Sequence, residues 1–234
     1  EFYKTNIDFG GTEQLFHIGK GSVAIPGNIK GLLHAHSKLG VLPLKEVLSP
    51  AKDIARNGVV LSKSQSYITS LLEKILATSD GTKKLFYKNG KLISEGDTFL
   101  NPDFADFLDW ISEEGDRPFY EGEIGRKLVS YLGDDGLIKM EDLNSYKVFE
   151  REPLRHVIKD KFFFTNPSPS VGGTLIVFFL ELLKRINKDY QFDNNLLIQL
   201  MIATTNARYR FYRDPNSKDQ LNQLLTEDIL DYYS

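Results

Sequence analysis

The sequence predicts an α+β protein dominated by helix. Apolar residues recur at helical spacing through most of the 234-residue chain. Short aromatic or apolar runs that read as strands are few, and no alternation of strand and helix supports a parallel sheet. With 41% apolar residues the chain can bury a real core. No linker stands out in its composition, so residues 1–234 read as a single domain.

The elements follow in order. Residues 1–9 set Phe2, Ile7 and Phe9 among polar neighbours, a short strand that Gly10 and Gly11 break. Pro26 suits a first helical turn, and Ile29, Leu32, Leu33 and Leu39 then form an apolar stripe that ends at Gly40. A second helix carries Leu44, Val47, Leu48, Ala51, Ile54 and Ala55 on one face, with Gly58 as its stop. A third covers 64–77, with Ile68, Leu71, Leu72 and Ile75 in register. Residues 79–81 read as a loop, and 85–91 as a hairpin turning on Asn89-Gly90. Helices follow over 101–114, with Phe104, Phe107, Leu108 and Ile111 inward, and over 122–132. Asp134, Asp135 and Gly136 read as a turn, while Glu141 and Asp142 suit the first turn of a short helix. Residues 148–149 and 157–164 look extended. Beyond the PSPSVGG loop at 167–173, a strongly apolar helix covers 174–186 and another covers 194–208.

Composition and spacing exclude several function classes. A net charge of −3 offers no basic excess to neutralise phosphates, so no nucleic-acid partner is expected. There is no cysteine, hence no disulfide, thiolate metal site or cysteine nucleophile. The longest apolar run, 175–180 with Leu182 and Leu183 beyond Glu181, falls far short of the roughly 20 residues that span a bilayer. No membrane segment is expected. The polar opening EFYKTNIDFGG is no signal peptide; it begins inside an apparent strand, which points to residues upstream and leaves the compartment open.

Of the four histidines, His34 and His36 lie two apart and diverge by about 200° on a helix, too far to grip one ion. His17 and His156 read as ordinary polar residues, and no metal is expected. GDDGLIKMED imitates a calcium loop, but with Gly136 at the sixth position the first would be Tyr131, which is no carboxylate ligand. Glu113 and Glu114 diverge on their helix and read as a solvated face. Neither a G-x-S-x-G elbow nor a phosphate-cradling loop is present.

Longer patterns point further. Residues 21–62 carry Ser22, Pro26, Gly27, Gly40, Leu42, Pro43, Leu48, Pro50, Ala51, Ala55 and Gly58 in the pattern S-x-x-x-P-G, helix, Y-G-x-L-P-W, L-x-P-A-x-x-L-A-x-x-G. Downstream come Gly90 to Asp97 (against G-x-x-L-x-x-G-D, with Ile93 in the leucine's place), Phe119-Tyr120-Glu121-Gly122 (F-Y-x-G) and 136–153 (G-x-I-x-x-x-D-L-x-x-Y-x-x-x-x-R-x-P). The strongest single match is PSPSVGG against P-P-P-S-S-G-G. Together these motifs, from about residue 8 to residue 215, resemble the gamma-glutamyltranspeptidase family.

The resemblance implies an αββα sandwich of the N-terminal-nucleophile hydrolases, with this chain forming part of the helix-rich large subunit. It also implies a precursor that cuts itself, so that a threonine heads the partner small subunit. That threonine is then the nucleophile and its own free amine the base, an arrangement that activates a weak hydroxyl. No catalytic residue is therefore expected in this chain. The implied substrate is a small gamma-glutamyl or acyl amide, attacked to form a threonyl ester, and no cofactor is implied. The resemblance implies that Pro167, Pro169, Ser170, Gly172 and Gly173 form a structural loop near the site. Thr204-Thr205-Asn206 imitates the family's T-T-H start but lies in a helical stretch ahead of residues 208–215, which match a region upstream of the cut.

The departures bear on substrate. Where the family has D-F-R-E this chain has Asp8-Phe9-Gly10-Gly11, so Gly10 occupies the place of the arginine that pairs with the substrate carboxylate. Ser168 and Val171 depart from the P-P-P-S-S-G-G loop, and Ala207-Arg208 stands where Asp-Arg is usual. The missing arginine favours a cephalosporin-acylase-like amidase as the alternative within the family. A catalytically silent relative serving as a binding or structural protein is the alternative outside enzymes.

Overall fold

The computed structural model describes residues 3–186, 193–212 and 222–234. Phe2 and the end of the 208–215 segment lie outside the described residues. The chain divides into two compact units, Glu1–Val148 and Phe149–Ser234.

The first unit opens with an antiparallel hairpin of β1 (Tyr3–Asp8) and β2 (Glu13–Ile18), in register from Tyr3 opposite Ile18 to Asp8 opposite Glu13. The glycines expected to break the first strand instead turn it back on a second. Helices α1 (Asn28–Leu39) and α2 (Leu44–Asn57) stop at Gly40 and Gly58, as their sequences require. The helix expected over 64–77 is split at Leu72, with ψ 5°, into α3 (Lys63–Leu71) and α4 (Glu73–Leu76). A capping box between Ser62 and Gln65 starts α3.

Residues 79–81 are not a loop. The Ser79 hydroxyl accepts from the Thr82 amide at 3.1 Å and caps α5 (Asp80–Phe86), with Asp80 in its first turn and Lys83 and Lys84 in its last. Leu85 and Phe86 therefore finish a helix. The hairpin is shorter than its sequence implied, pairing β4 (Tyr87–Lys88) with β5 (Lys91–Leu92). Its Asn89 and Gly90 both have positive φ, 53° and 76°, the two-residue turn expected of Asn-Gly. β3 (Val59–Val60) pairs with β6 (Thr98–Phe99).

The unit closes with α6 (Pro102–Glu114), α7 (Arg117–Tyr120), α8 (Glu123–Leu132) and α9 (Met140–Ser145). Leu108 and Ile111 of α6 are buried as expected, whereas Phe104 is exposed. α6 packs on α2 and is tied to it by Lys52 to Asp109 at 2.8 Å and Arg56 to Asp106 at 2.6 Å. Residues 148–149, expected to be extended, join no strand.

In the second unit, β7 (Leu154–Ile158) and β8 (Lys161–Thr165) form an antiparallel hairpin turning at Lys159, φ 55°. The extended run 157–164 is thus two strands and a turn. The apolar helix α10 (Val171–Ile186) starts three residues earlier than expected, which puts Gly172 and Gly173 inside its first turn. α11 (Asn194–Phe211) begins at Asp193, whose carboxylate accepts from the Leu196 amide at 2.8 Å. α12 (Glu227–Tyr233) follows. Phe178, Leu182 and Leu183 of α10, Leu200 and Ala207 of α11, Leu224, and Leu230 of α12 form the core. Arg185 clamps α12 to α10 through Glu227 and Asp231.

Among the described residues every sheet is two-stranded. The architecture is α+β and rich in helix.

Candidate functional site

Motif residues far apart in sequence meet in the first unit. The Tyr120 hydroxyl donates to the Pro26 carbonyl at 2.5 Å and accepts from the Lys30 amide at 3.3 Å. Tyr120 stacks on Tyr146 with ring centres 5.7 Å apart. A β-carbon on Gly27 would overlap the Tyr146 hydroxyl, so only glycine fits there without a shift. The Lys30 ammonium lies 4.4 Å from the Tyr120 ring centre and donates to the Tyr146 carbonyl at 3.2 Å. Tyr120 is fully buried, and burial pushes its phenol pKa up. Leu132, Ile138 and Leu143 complete this cluster, which is scaffold.

The Gly10 position is a hairpin corner. The Phe9 amide donates to the Thr12 carbonyl at 3.0 Å, the Gly10 amide donates to the Asp8 carboxylate at 2.8 Å, and Gly10 has φ 85°. Gly10, which the sequence resemblance sets against an arginine, is thus in the left-handed region that favours glycine. Nearby cations do other work or point to solvent. Lys4 is an exposed strand residue, and the Lys20 ammonium sits 4.8 Å over the Tyr131 ring.

In the second unit the PSPSVGG loop joins β8 to α10. The Ser170 amide donates to the Pro167 carbonyl at 3.0 Å, closing a turn. The two glycines behind it differ. A β-carbon on Gly173 would overlap the backbone oxygen of Asn166 and sit 2.9 Å from the Thr165 hydroxyl, whereas one on Gly172 would meet nothing within 4 Å. Pro167, Pro169 and Ser170 form one wall of an open cleft of 530 Å³, shared with Phe149, Arg151 and Asn166.

His156, read from sequence as an ordinary polar residue, is buried at 6% exposure. Its Nδ1 lies 3.1 Å from a Glu181 carboxylate oxygen on α10. Burial pulls its pKa below the ordinary 6.5, against the opposing pull of Glu181 and with the help of Lys184. The period-2 pattern held the signal, since His156 shares a strand face with Leu154 and Ile158. The His36 ring, by contrast, is held by the Leu42 carbonyl at 2.9 Å.

Thr204 and Thr205 lie inside α11, where the Thr205 hydroxyl donates to the Met201 carbonyl at 2.8 Å. Their amides are part of a helix, so neither offers the free amine that an N-terminal nucleophile uses as base.

The fold and these motifs are of the gamma-glutamyltranspeptidase type. A solved gamma-glutamyltranspeptidase from Pseudomonas nitroreducens superposes with a TM-score of 0.79 at 26% identity, covering 92% of this chain and 66% of that one. The family model described as Gamma-glutamyltranspeptidase matches residues 1–234, and the chain belongs to that family.

Among curated relatives it is 30% identical over 196 residues to the glutathione hydrolase proenzyme of Escherichia coli K12, covering 82% of this chain. It is 33% identical over 168 residues to the acylase ACY 1 proenzyme of Pseudomonas sp. strain V22, covering 71% of this chain. These matches take up 33% and 30% of the two relatives, so the chain spans about a third of their length.

Proposed function

We propose that this chain is the large-subunit portion of an enzyme that hydrolyses or transfers a gamma-glutamyl or related acyl amide. The observation that carries this reading is a family match over all of 1–234. The meeting of Pro26, Gly27, Tyr120 and Tyr146 in one buried cluster supports it, because the quoted motifs then act as one packed unit. In this proposal the chain supplies helical layers and part of the sheet of an αββα sandwich. The small subunit, cut from the same precursor, begins with threonine.

The threonine hydroxyl attacks the amide carbonyl while its own amine takes the proton. The tetrahedral oxyanion collapses, the leaving amine takes the proton back, and a threonyl ester remains. Water or an acceptor amine then resolves the ester. The loop formed by Pro167, Pro169, Ser170, Gly172 and Gly173 belongs near the cleavage region in this reading. No cofactor enters the scheme.

A second reading, a cephalosporin-acylase-like amidase, is favoured by Gly10. With a hairpin corner in the arginine's place, selection for an α-carboxylate must come from another residue or be absent.

The test is expression of the full precursor, mass spectrometry of the purified product, and assay of gamma-glutamyl and glutaryl anilides. Two chains, the second beginning with threonine or serine, with amidase activity lost when this chain is made alone, are expected. An uncleaved, inactive product would support the catalytically silent relative instead.

A further inference from the structure

A cleft of 270 Å³ in the first unit lies at the opposite end of the β1–β2 hairpin from the Gly10 corner, since Tyr3 on its rim pairs with Ile18 at the hairpin's base. Stretches distant in sequence build it. β1 gives Tyr3, the 3-10 turn Lys20–Ser22 gives Lys20, the junction of α4 and α5 gives Thr78 and Ser79, and the end of α8 gives Tyr131. Asp135 completes the polar lining. The Thr78 hydroxyl donates to the Ile75 carbonyl at 2.7 Å, and the Ser79 hydroxyl accepts from the Thr82 amide at 3.1 Å. Both oxygens are thereby held in place, each with a lone pair to spare. Tyr3 and Tyr131 are 57% and 61% exposed. The Lys20 ammonium lies 4.8 Å from the Tyr131 ring centre, a contact that orders the cation without neutralising it. The fold therefore sets two tyrosine rings, an ammonium and two hydroxyls around one small cleft.

We propose that this cleft binds a single neutral sugar ring, with Tyr131 and Lys20 its main contacts. A pyranose has faces of C–H bonds and a rim of hydroxyls. The C–H bonds carry slight positive charge, which the negative face of a tyrosine ring attracts. The hydroxyls both donate and accept, so they match the Lys20 ammonium, the Thr78 and Ser79 oxygens and the phenols. Size limits the ligand. Sites for drug-sized molecules run to about 300–1,000 Å³, so 270 Å³ suits one ring rather than a chain. Charge limits it too. Asp135 offsets Lys20, which disfavours phosphate and other compact anions. Asp135 is also engaged within the protein, so it is not there to hold a ligand ammonium. The sugar site goes beyond the amide-transfer reading and does not depend on it.

Saturation-transfer NMR on the protein expressed from its full precursor tests the site. The probes are the methyl glycosides of glucose, galactose, mannose and N-acetylglucosamine. At least one should bind with Kd on the order of 1 mM, the scale for a ligand of about a dozen non-hydrogen atoms. Tyr131→Ala should weaken that binding about 3- to 10-fold, whereas Tyr131→Phe, which keeps the ring, should stay within about threefold. Lys20→Gln should cost about tenfold, the size of a lost charge-assisted hydrogen bond.

No binding of any of the four glycosides would overturn the proposal. So would wild-type affinity in both Tyr131→Ala and Lys20→Gln, which puts the sugar elsewhere. Displacement of the glycoside by glutamate or inorganic phosphate would mark a site for charged ligands and overturn it as well. None of these readouts needs turnover. An inactive protein that binds a glycoside through Tyr131 would therefore sink the enzyme reading and keep the sugar site.

Discussion

Gly172 and Gly173 are adjacent and chemically identical, yet a side chain at one would enter open space and at the other would strike the backbone of Asn166. Relieving a clash with a carbonyl oxygen needs a backbone shift, so Gly173→Val should cost about 1–3 kcal/mol or more. Gly172→Ala should be neutral or gain about 0.5–1 kcal/mol from helix propensity. Thermal unfolding of the assembled protein checks both, and equal melting temperatures for the two variants would refute the distinction. Gly10 is constrained differently. Nothing lies within 4 Å of its absent β-carbon, but φ 85° makes any L side chain costly by about 1–2 kcal/mol. An arginine at this corner, Gly10→Arg, would strain the hairpin turn.

The contact between β7 and α10 carries a titratable pair. His156 is buried against Glu181, and its folded pKa lies below the ordinary 6.5 because burial penalises the imidazolium. The unfolded chain then binds the proton more readily than the folded one. Stability from this site is complete above about pH 6.5 and is lost as pH falls from there toward the folded pKa. The urea midpoint should therefore drop between pH 7.5 and pH 5.5, and His156→Gln should flatten that slope. A slope unchanged by the substitution would place the titration elsewhere. At this scale most helices were legible from sequence, because periodicity, proline starts and glycine stops act within a turn or two; α1, α2, α6 and α8 follow those signals closely. α5 was not, since Ser79 and Asp80 read equally well as loop residues until the cap bond to Thr82 is seen.

Across the whole molecule, apolar side chains of several helices face outward. Leu32 and Leu39 of the expected α1 stripe are 71% and 83% exposed, and Ile198, Met201 and Ile202 of α11 line an open groove. Clustered exposed apolar surface marks interaction sites, and under the proposed function the rest of the precursor covers it. This chain expressed alone should bind an apolar dye such as ANS and scatter light within hours. Co-expression with the remainder of the precursor should abolish both. A monodisperse isolated chain without dye binding would count against a buried interface at these faces.

The sequence by itself determined the family, the α+β helix-rich class and the boundaries of several helices, α1, α2, α6 and α8 among them. Those follow from motifs and periodicities carried by neighbouring residues. Only the tertiary structure decided which stripes are covered, that Tyr120 and Tyr146 stack beside Pro26 and Gly27, and that His156 is buried. It also separated the tight glycine from the open one. The physical reason is range. A cap or a stripe is decided by residues three or four apart, whereas a stacked ring or a buried imidazole depends on partners tens of residues away, whose approach no local pattern encodes.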